Sequence, residues 1–229
     1  ISSSTWFRAG GKADLFCIVI DEHELEIILN NLNKETPIFV IGAGSNVLIR
    51  DGGFRGLIIK LGKSFNLLNI NGNLINAGAS ILDINLSKYA WNHSLEGLEF
   101  FSGIPGSVGG AVKMNAGCYG YETKDVLKEI SLITKSGERK KLSNKDLGLT
   151  YRNSNVSNED IITSAIYKGK YSEKNKIKMI INEIKLMRDE SQPLKNKTGG
   201  STFKNPEGQF AAKLIEQAEC KGLTYGDAT

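Results

Sequence analysis

The chain has 229 residues, 40% of them hydrophobic and 24% charged, with a formal net charge of +4. That is the profile of a soluble globular protein, long enough for one large or two modest domains with a real core. There is no run of about 18 apolar residues to span a membrane, and no basic stripe of the kind that nucleic-acid binding needs.

The elements read in chain order as follows. Asp14 to Ile20 is a strand, and Asp21 caps a helix to Asn33 with Leu25, Ile28, Leu29 and Leu32 on one face. Pro37 to Ile41 is a second strand, ending at Gly42. Leu57 to Leu61, Phe65 to Ile70 and Asn73 to Ala77 are short strands punctuated by Asn and Gly turns. Ile81 to Trp91 is an amphipathic helix, and Gly103 to Gly120 is rich in glycine. Ile130 to Thr134, Glu138 to Leu142 and Ile161 to Lys168 are strands, the first two joined by a turn at Lys135-Ser136-Gly137. Glu173 to Arg188 is a helix with Ile177, Ile180, Ile181, Ile184 and Met187 on one face, and Gln209 to Ala218 is the last helix, stopped near Gly222. The sum is α+β, without the regular alternation of a doubly wound sheet. A domain boundary is expected near Tyr171 to Asn175, where a polar run precedes the long helix.

Several chemistries are disfavoured. Cys17, Cys118 and Cys220 have neither metal-ligand nor redox spacing and are expected as free thiols in a reducing cytosol. His23 and His93 are the only histidines, in polar helical surroundings, so neither a His-based triad nor a zinc site is expected, and no metal. Arg139-Lys140-Lys141 follows a turn and reads as a solvated surface. The start of the chain has no signal-peptide pattern, and Ile1 in place of Met points to a trimmed terminus.

Two glycine loops point to a phosphate-bearing ligand. Gly42-Ala43-Gly44-Ser45-Asn46 follows a strand but matches only part of the dinucleotide fingerprint: Val47 replaces the third glycine, and no acidic residue ends a second strand about 20 positions on. Such a turn is either an ordinary tight turn or an anion-binding nest of consecutive N–H groups. The second loop, Gly103-Ile104-Pro105-Gly106-Ser107-Val108-Gly109-Gly110-Ala111, reads as opening a short helix at Ser107, whose free N–H groups suit an anion. Two loops without a P-loop ending suggest one large diphosphate cofactor, and the failed Rossmann match favours flavin over nicotinamide.

A third segment, Gly199-Gly200-Ser201-Thr202-Phe203-Lys204-Asn205-Pro206, sets a hydroxyl after two flexible glycines, with a cation and an amide close behind. It suggests proton delivery beside an anion. A turn or helix cap is the competing reading of Ser201, and no histidine stands near to make it a nucleophile.

Taken together, these segments resemble UDP-N-acetylenolpyruvoylglucosamine reductases. The matching pieces are Thr5-Trp6-Phe7-Arg8 with Gly10-Gly11 and Ala13-Asp14, Ile41 to Leu48, Gly97-Leu98-Glu99-Phe100, Gly103 to Gly120 with Met114-Asn115-Ala116-Gly117, Tyr151-Arg152-Asn153-Ser154, Gln192-Pro193, and Gly199 to Pro206. The resemblance implies an FAD-binding module of the vanillyl-alcohol-oxidase type over 1–171, in subdomains of about 1–64 and 65–171, and a substrate-binding domain over 172–229. It implies that NADPH passes hydride to FAD, and that the enolpyruvyl ether of UDP-N-acetylglucosamine then receives hydride and a proton. On that resemblance Ser201 is the proton donor and Arg152 the active-site arginine. Gly42 to Asn46 and Gly103 to Ala111 contact the flavin pyrophosphate, and Arg188, Lys204 and Asn205 bind substrate. The short span from Arg152 to Ser201 resembles the family's second type, without the extra substrate loop. The family continues to a C-terminal glutamate that no residue up to Thr229 matches, so the substrate domain is expected to be incomplete. A cytoplasmic bacterial monomer of peptidoglycan synthesis is implied, with a different flavin oxidase or a non-catalytic flavin or nucleotide-sugar binding fragment as the alternatives.

Overall fold

The protein is described by a computed structural model over residues 1–191 and 200–226, and it divides into two compact units, Ile1–Thr198 and Gly199–Thr229. The first unit opens with β1 (Ala13–Val19), α1 (Glu22–Asn31), β2 (Ile38–Val40) and β3 (Phe54–Leu61), whose strands form a parallel sheet in the order β1-β3-β2. Helix α1 starts where the sequence says it should. The Asp21 carboxylate accepts the Glu24 N–H at 2.8 Å, and the Glu24 carboxylate accepts the Ile20 N–H at 2.5 Å. Its expected face is the one that packs: Leu25 and Leu29 are buried, Ile28 and Leu32 half-buried. Strand β3 begins three residues before the expected Leu57, because Ala13 of β1 pairs with Phe54 and draws that segment into the sheet.

The rest of the unit is built on an antiparallel sheet. In chain order come β4 (Leu68–Asn71), β5 (Leu74–Gly78), α2 (Asp83–Asn92), β6 (Leu95–Glu96), α3 (Val108–Lys113), β7 (Gly117–Cys118), β8 (Tyr121–Glu122) and α4 (Thr123–Val126). They are followed by β9 (Leu127–Ile133), β10 (Arg139–Ser143), β11 (Ile161–Lys168), β12 (Lys170–Tyr171) and α5 (Lys174–Ser191). The main sheet has the order β10-β9-β11-β5-β4. The strand expected over 65–70 is corrected: Lys63–Phe65 is a 3-10 turn and the strand starts at Leu68. Phe65 belongs to the core cluster of Leu25 and Leu29, and the next two residues, Asn66 and Leu67, are both exposed, which breaks the alternation of a strand.

Two clusters make up the core. The smaller joins Val19, Leu25, Leu29, Leu57, Ile59 and Phe65 to Ile133 and Ile161 from the antiparallel sheet. The larger holds Leu86 of α2, Val112 of α3, the stacked Phe100 and Phe101, and Ile130 and Tyr167 of the sheet. The expected face of α5 also packs, with Ile177 and Ile184 buried and Ile180, Ile181 and Met187 half-buried. Residues 171–175, where the sequence places a boundary, join β12 to α5 inside the first unit. The second unit carries α6 (Ala211–Gln217), shorter at both ends than the sequence reading, and none of its described residues is buried.

Leu25 is fully buried while Leu15 is 53% exposed. Leu25→Ala is expected to cost about 2–5 kcal/mol by transfer and cavity terms, and Leu15→Ala less than about 0.5 kcal/mol. Urea denaturation of both variants checks the contrast.

Candidate cofactor and active site

A cavity of about 690 Å³ opens in the first unit between the two glycine loops, within the usual range for a cofactor site. Its wall runs from β2 through Ile41, Gly42 and Ala43, and is completed by Ser107, Gly109 and Gly110 from the second loop. The loops meet at one point. A side chain on Gly42 would overlap the Ser107 hydroxyl oxygen, so glycine is what lets the two backbones close on each other. Among the described residues, the N–H groups of Gly42, Ala43, Gly44 and Ser45 and the Ser107 hydroxyl have no hydrogen-bond partner. Lys60, Lys63 and Lys113 line the same cavity, against one carboxylate, Asp160, among the described residues. Open amides, a hydroxyl and an excess of cations are a donor set that fits a diphosphate.

Two of the N–H groups that open the helix of the second loop are already engaged. The Val108 N–H donates to Ile81 O and the Gly109 N–H to Ala79 O, both at 2.9 Å, and the Asp83 N–H donates back to Gly106 O at 3.1 Å. These donors lace the loop to the segment before α2, so they are not free for a ligand. Gly44, Ser45, Asn46, Gly103, Ile104, Pro105, Gly106 and Ala111 are not among the residues that line the cavity. The Gly44 carbonyl accepts the Trp6 N–H at 2.9 Å, the Asn46 amide reaches the Met114 sulfur at 3.7 Å, and the Ala111 carbonyl accepts the Ala116 N–H at 2.8 Å. Lys113 also ties down the wall opposite: its ammonium donates to Val156 O, and its own carbonyl accepts the Ser154 hydroxyl at 2.7 Å. Burial pulls its pKa below the ordinary lysine value. The sequence reading missed Lys60, Lys63, Lys113 and Asp160, because charged residues in a strand, a helix end or a loop carry no local sign of the cavity they line.

Arg152 stands in a left-handed backbone conformation, φ +54°, with its guanidinium donating to Gly117 O at 2.8 Å and to Asn115 O at 3.4 Å. It stacks over the Tyr151 ring at 5.0 Å. Asn115 is the hub that fixes it. That side chain is fully buried, donates to Glu122 at 3.1 Å and to Thr150 O at 3.0 Å, and accepts the Lys124 N–H at 2.9 Å. Its environment leaves almost no freedom to the carbonyl that receives Arg152. Arg188, on α5, donates to Gly103 O at 2.5 Å and so holds the root of the second glycine loop. Beside it, the Cys118 thiol donates to Phe100 O at 3.2 Å, and burial pushes its pKa up to about 11.

In the second unit Ser201, Lys204 and Asn205 are exposed, and the Asn205 side-chain carbonyl accepts the Ala211 N–H at the start of α6 at 3.0 Å. Gly199, which opens that motif, and Gln192-Pro193 fall outside the described residues.

Comparison with known proteins first defines a class. Residues 13–143 match the FAD binding domain family, and the fold is shared with 6-hydroxy-D-nicotine oxidase from Arthrobacter nicotinovorans (TM-score 0.56, 17% identity, covering 74% of this chain and 39% of that one). This is a flavoprotein oxidoreductase of α+β fold, with the FAD module of the vanillyl-alcohol-oxidase type. Residues 192–229 match the C-terminal domain of UDP-N-acetylenolpyruvoylglucosamine reductase. The reductase of that name from Caulobacter vibrioides is 44% identical over 227 residues, 98% of this chain and 75% of the relative, and that from Parvibaculum lavamentivorans is 43% identical over 224 residues, 98% and 72%. The crystal structure of the Thermus caldophilus reductase superposes with a TM-score of 0.88 at 35% identity, covering 99% of this chain and 80% of that one. The chain belongs to the UDP-N-acetylenolpyruvoylglucosamine reductase family.

Gly42→Ala is expected to force the two loops apart and weaken FAD binding at least about tenfold, because a buried overlap must be relieved by moving backbone. Flavin fluorescence titration measures it. For the thiols, exposed Cys220 is expected to react with a disulfide reagent at pH 8 quickly. Cys118, with a pKa of about 11, has only about one part in a thousand as thiolate there and is expected to lag by at least about tenfold.

Proposed function

We propose that this protein reduces the enolpyruvyl ether of UDP-N-acetylglucosamine to UDP-N-acetylmuramate, a step of peptidoglycan precursor synthesis, with NADPH as hydride source. FAD, when bound, supplies the hydride carrier between the two substrates. In this reading residues 1–171 hold the cofactor, in two subdomains, and the region 172–229 serves the substrate.

The observation that carries the reading is the convergence of Gly42 and Ser107 on one lysine-lined cavity in a chain whose close relatives bear that reductase name. Backbone amides of Gly42 and Ala43 and the Ser107 hydroxyl donate to the cofactor's diphosphate, and the cavity lysines balance its charge. Arg152 works on the substrate side. Hydride addition to the vinyl carbon of an enolpyruvyl group builds negative charge on the neighbouring carbon and its carboxylate. A guanidinium already oriented by two backbone carbonyls meets that charge without reorganising. Ser201 gives its proton to the carbon next to the carboxylate. A hydroxyl is a weak acid in water but adequate against a strongly basic carbanion in a dry site, provided a cation such as Lys204 receives the alkoxide. Arg188 and Asn205 complete the set that holds the sugar nucleotide.

Ser201→Ala is expected to leave flavin reduction by NADPH fast and to slow flavin reoxidation by the enolpyruvyl substrate by about 10²–10⁴-fold. Anaerobic stopped-flow absorbance of the flavin follows both half-reactions. Equal loss in both would reject Ser201 as donor. A bound flavin that NADPH never bleaches would leave only a binding protein, and bleaching without recovery on any enolpyruvyl sugar nucleotide would point to another flavin enzyme of the same fold.

A further inference from the structure

Asp83 stands at the first position of α2 and is fully buried, yet neither of its carboxyl oxygens has a hydrogen-bond partner among the described residues. A carboxylate in that position would pay the full cost of leaving water with nothing in return. It is placed against the second glycine loop. A Cβ on Gly106 would come within 2.6 Å of Asp83 Oδ2, so the carboxyl occupies the space that a side chain at 106 would need. The backbone around it is fixed from both directions, by Asp83 N–H to Gly106 O at 3.1 Å and Val108 N–H to Ile81 O at 2.9 Å. The next residue after Gly106 is Ser107, whose hydroxyl faces Gly42 in the cavity wall. The Tyr167 hydroxyl of β11, which feels the Asp83 carboxyl, is also buried and also without a partner among the described residues.

We propose that Asp83 is a positioning residue for the cofactor: its carboxyl, carried in the neutral acid form, is the spacer that sets Gly106 and hence Ser107 at the cavity wall. The proposal rests on the assignment of the 103–111 loop to FAD. It also accounts for a glycine at 106 that is not in the left-handed region and so is not required by backbone conformation. Burial alone raises the Asp83 carboxyl well above its ordinary 3.8, with no cation lowering it. The groups that share its field are Tyr167 on β11 and Cys118 on β7, both raised in part by Asp83, with Arg152 and Arg188 acting on the Cys118 thiol. A raised pKa in the folded state gives stability that is complete below pH 3.8 and is lost as pH climbs toward the folded value.

The test is flavin titration of the wild type, Asp83→Asn, Asp83→Ala, Gly106→Ala and the double variant Asp83→Ala/Gly106→Ala, with thermal melts from pH 4 to 8. Asp83→Asn, a neutral isostere, is expected to bind FAD within about threefold of wild type, and Asp83→Ala and Gly106→Ala each about tenfold or more weaker. The double variant is expected to bind no more weakly than Asp83→Ala alone, because the methyl fills the vacated space. The melting temperature of Asp83→Asn is expected to gain on wild type steadily as pH rises. Wild-type affinity in Asp83→Ala, additive losses in the double variant, or a pH-independent gap between Asp83→Asn and wild type would each overturn the proposal. A wild type that takes up no FAD would sink the cofactor assignment instead.

Discussion

Three main-chain hydrogen bonds between residues 79–83 and 106–109 are what the site depends on. They fasten the glycine-rich loop to the end of β5 and the start of α2, elements anchored by Ile75, Ala77 and Leu86 in the larger core cluster. A loop with this much glycine would otherwise sample many backbone states. With the lacing in place, Ser107 arrives opposite Gly42 in one fixed geometry, and Gly42 and Ala43 of the first loop line the same space. Two N–H groups of the first helical turn, those of Val108 and Gly109, are spent on this attachment.

The same division of labour recurs around Arg152. Its guanidinium is held by backbone carbonyls of the Asn115–Gly117 segment, and Asn115 is itself saturated by three side-chain hydrogen bonds. These two carbonyls fix where the guanidinium points, and hydrogen bonds to neutral acceptors do not themselves cancel a charge. Arg188 shows a related economy, since its guanidinium hydrogen bond to Gly103 O connects α5 to the second glycine loop.

Much of this was legible beforehand because it is local. Apolar residues spaced for one face of α1 and α5 are the ones that pack, and Asp21 caps the helix that it precedes. The two glycine loops could be found because glycine density is itself unusual. What escaped was set by pairing over long distances. Strand β3 starts at Phe54 only because β1 is there to pair with it. Phe65 leaves the strand pattern because a pocket between α1 and the sheet accepts it. Asp83 looks in sequence like an ordinary acid favouring a helix start, and nothing local says that it will be buried. Lys60 and Asp160 share a cavity across 100 positions of chain, a distance over which no pattern in one sequence speaks.

That scatter has a consequence for the life of the protein. The cleft draws on residues 38–43, 60–66, 79–82, 107–113 and 158–162, so it does not exist until both sheets have assembled. The flavin can therefore be captured only by a nearly finished molecule and cannot template the early steps. Once captured, it stabilises by mass action, about 2.7 kcal/mol when free flavin stands at 100 times its dissociation constant. The finished fold therefore precedes its cofactor, and the cofactor in turn protects the fold that made its site.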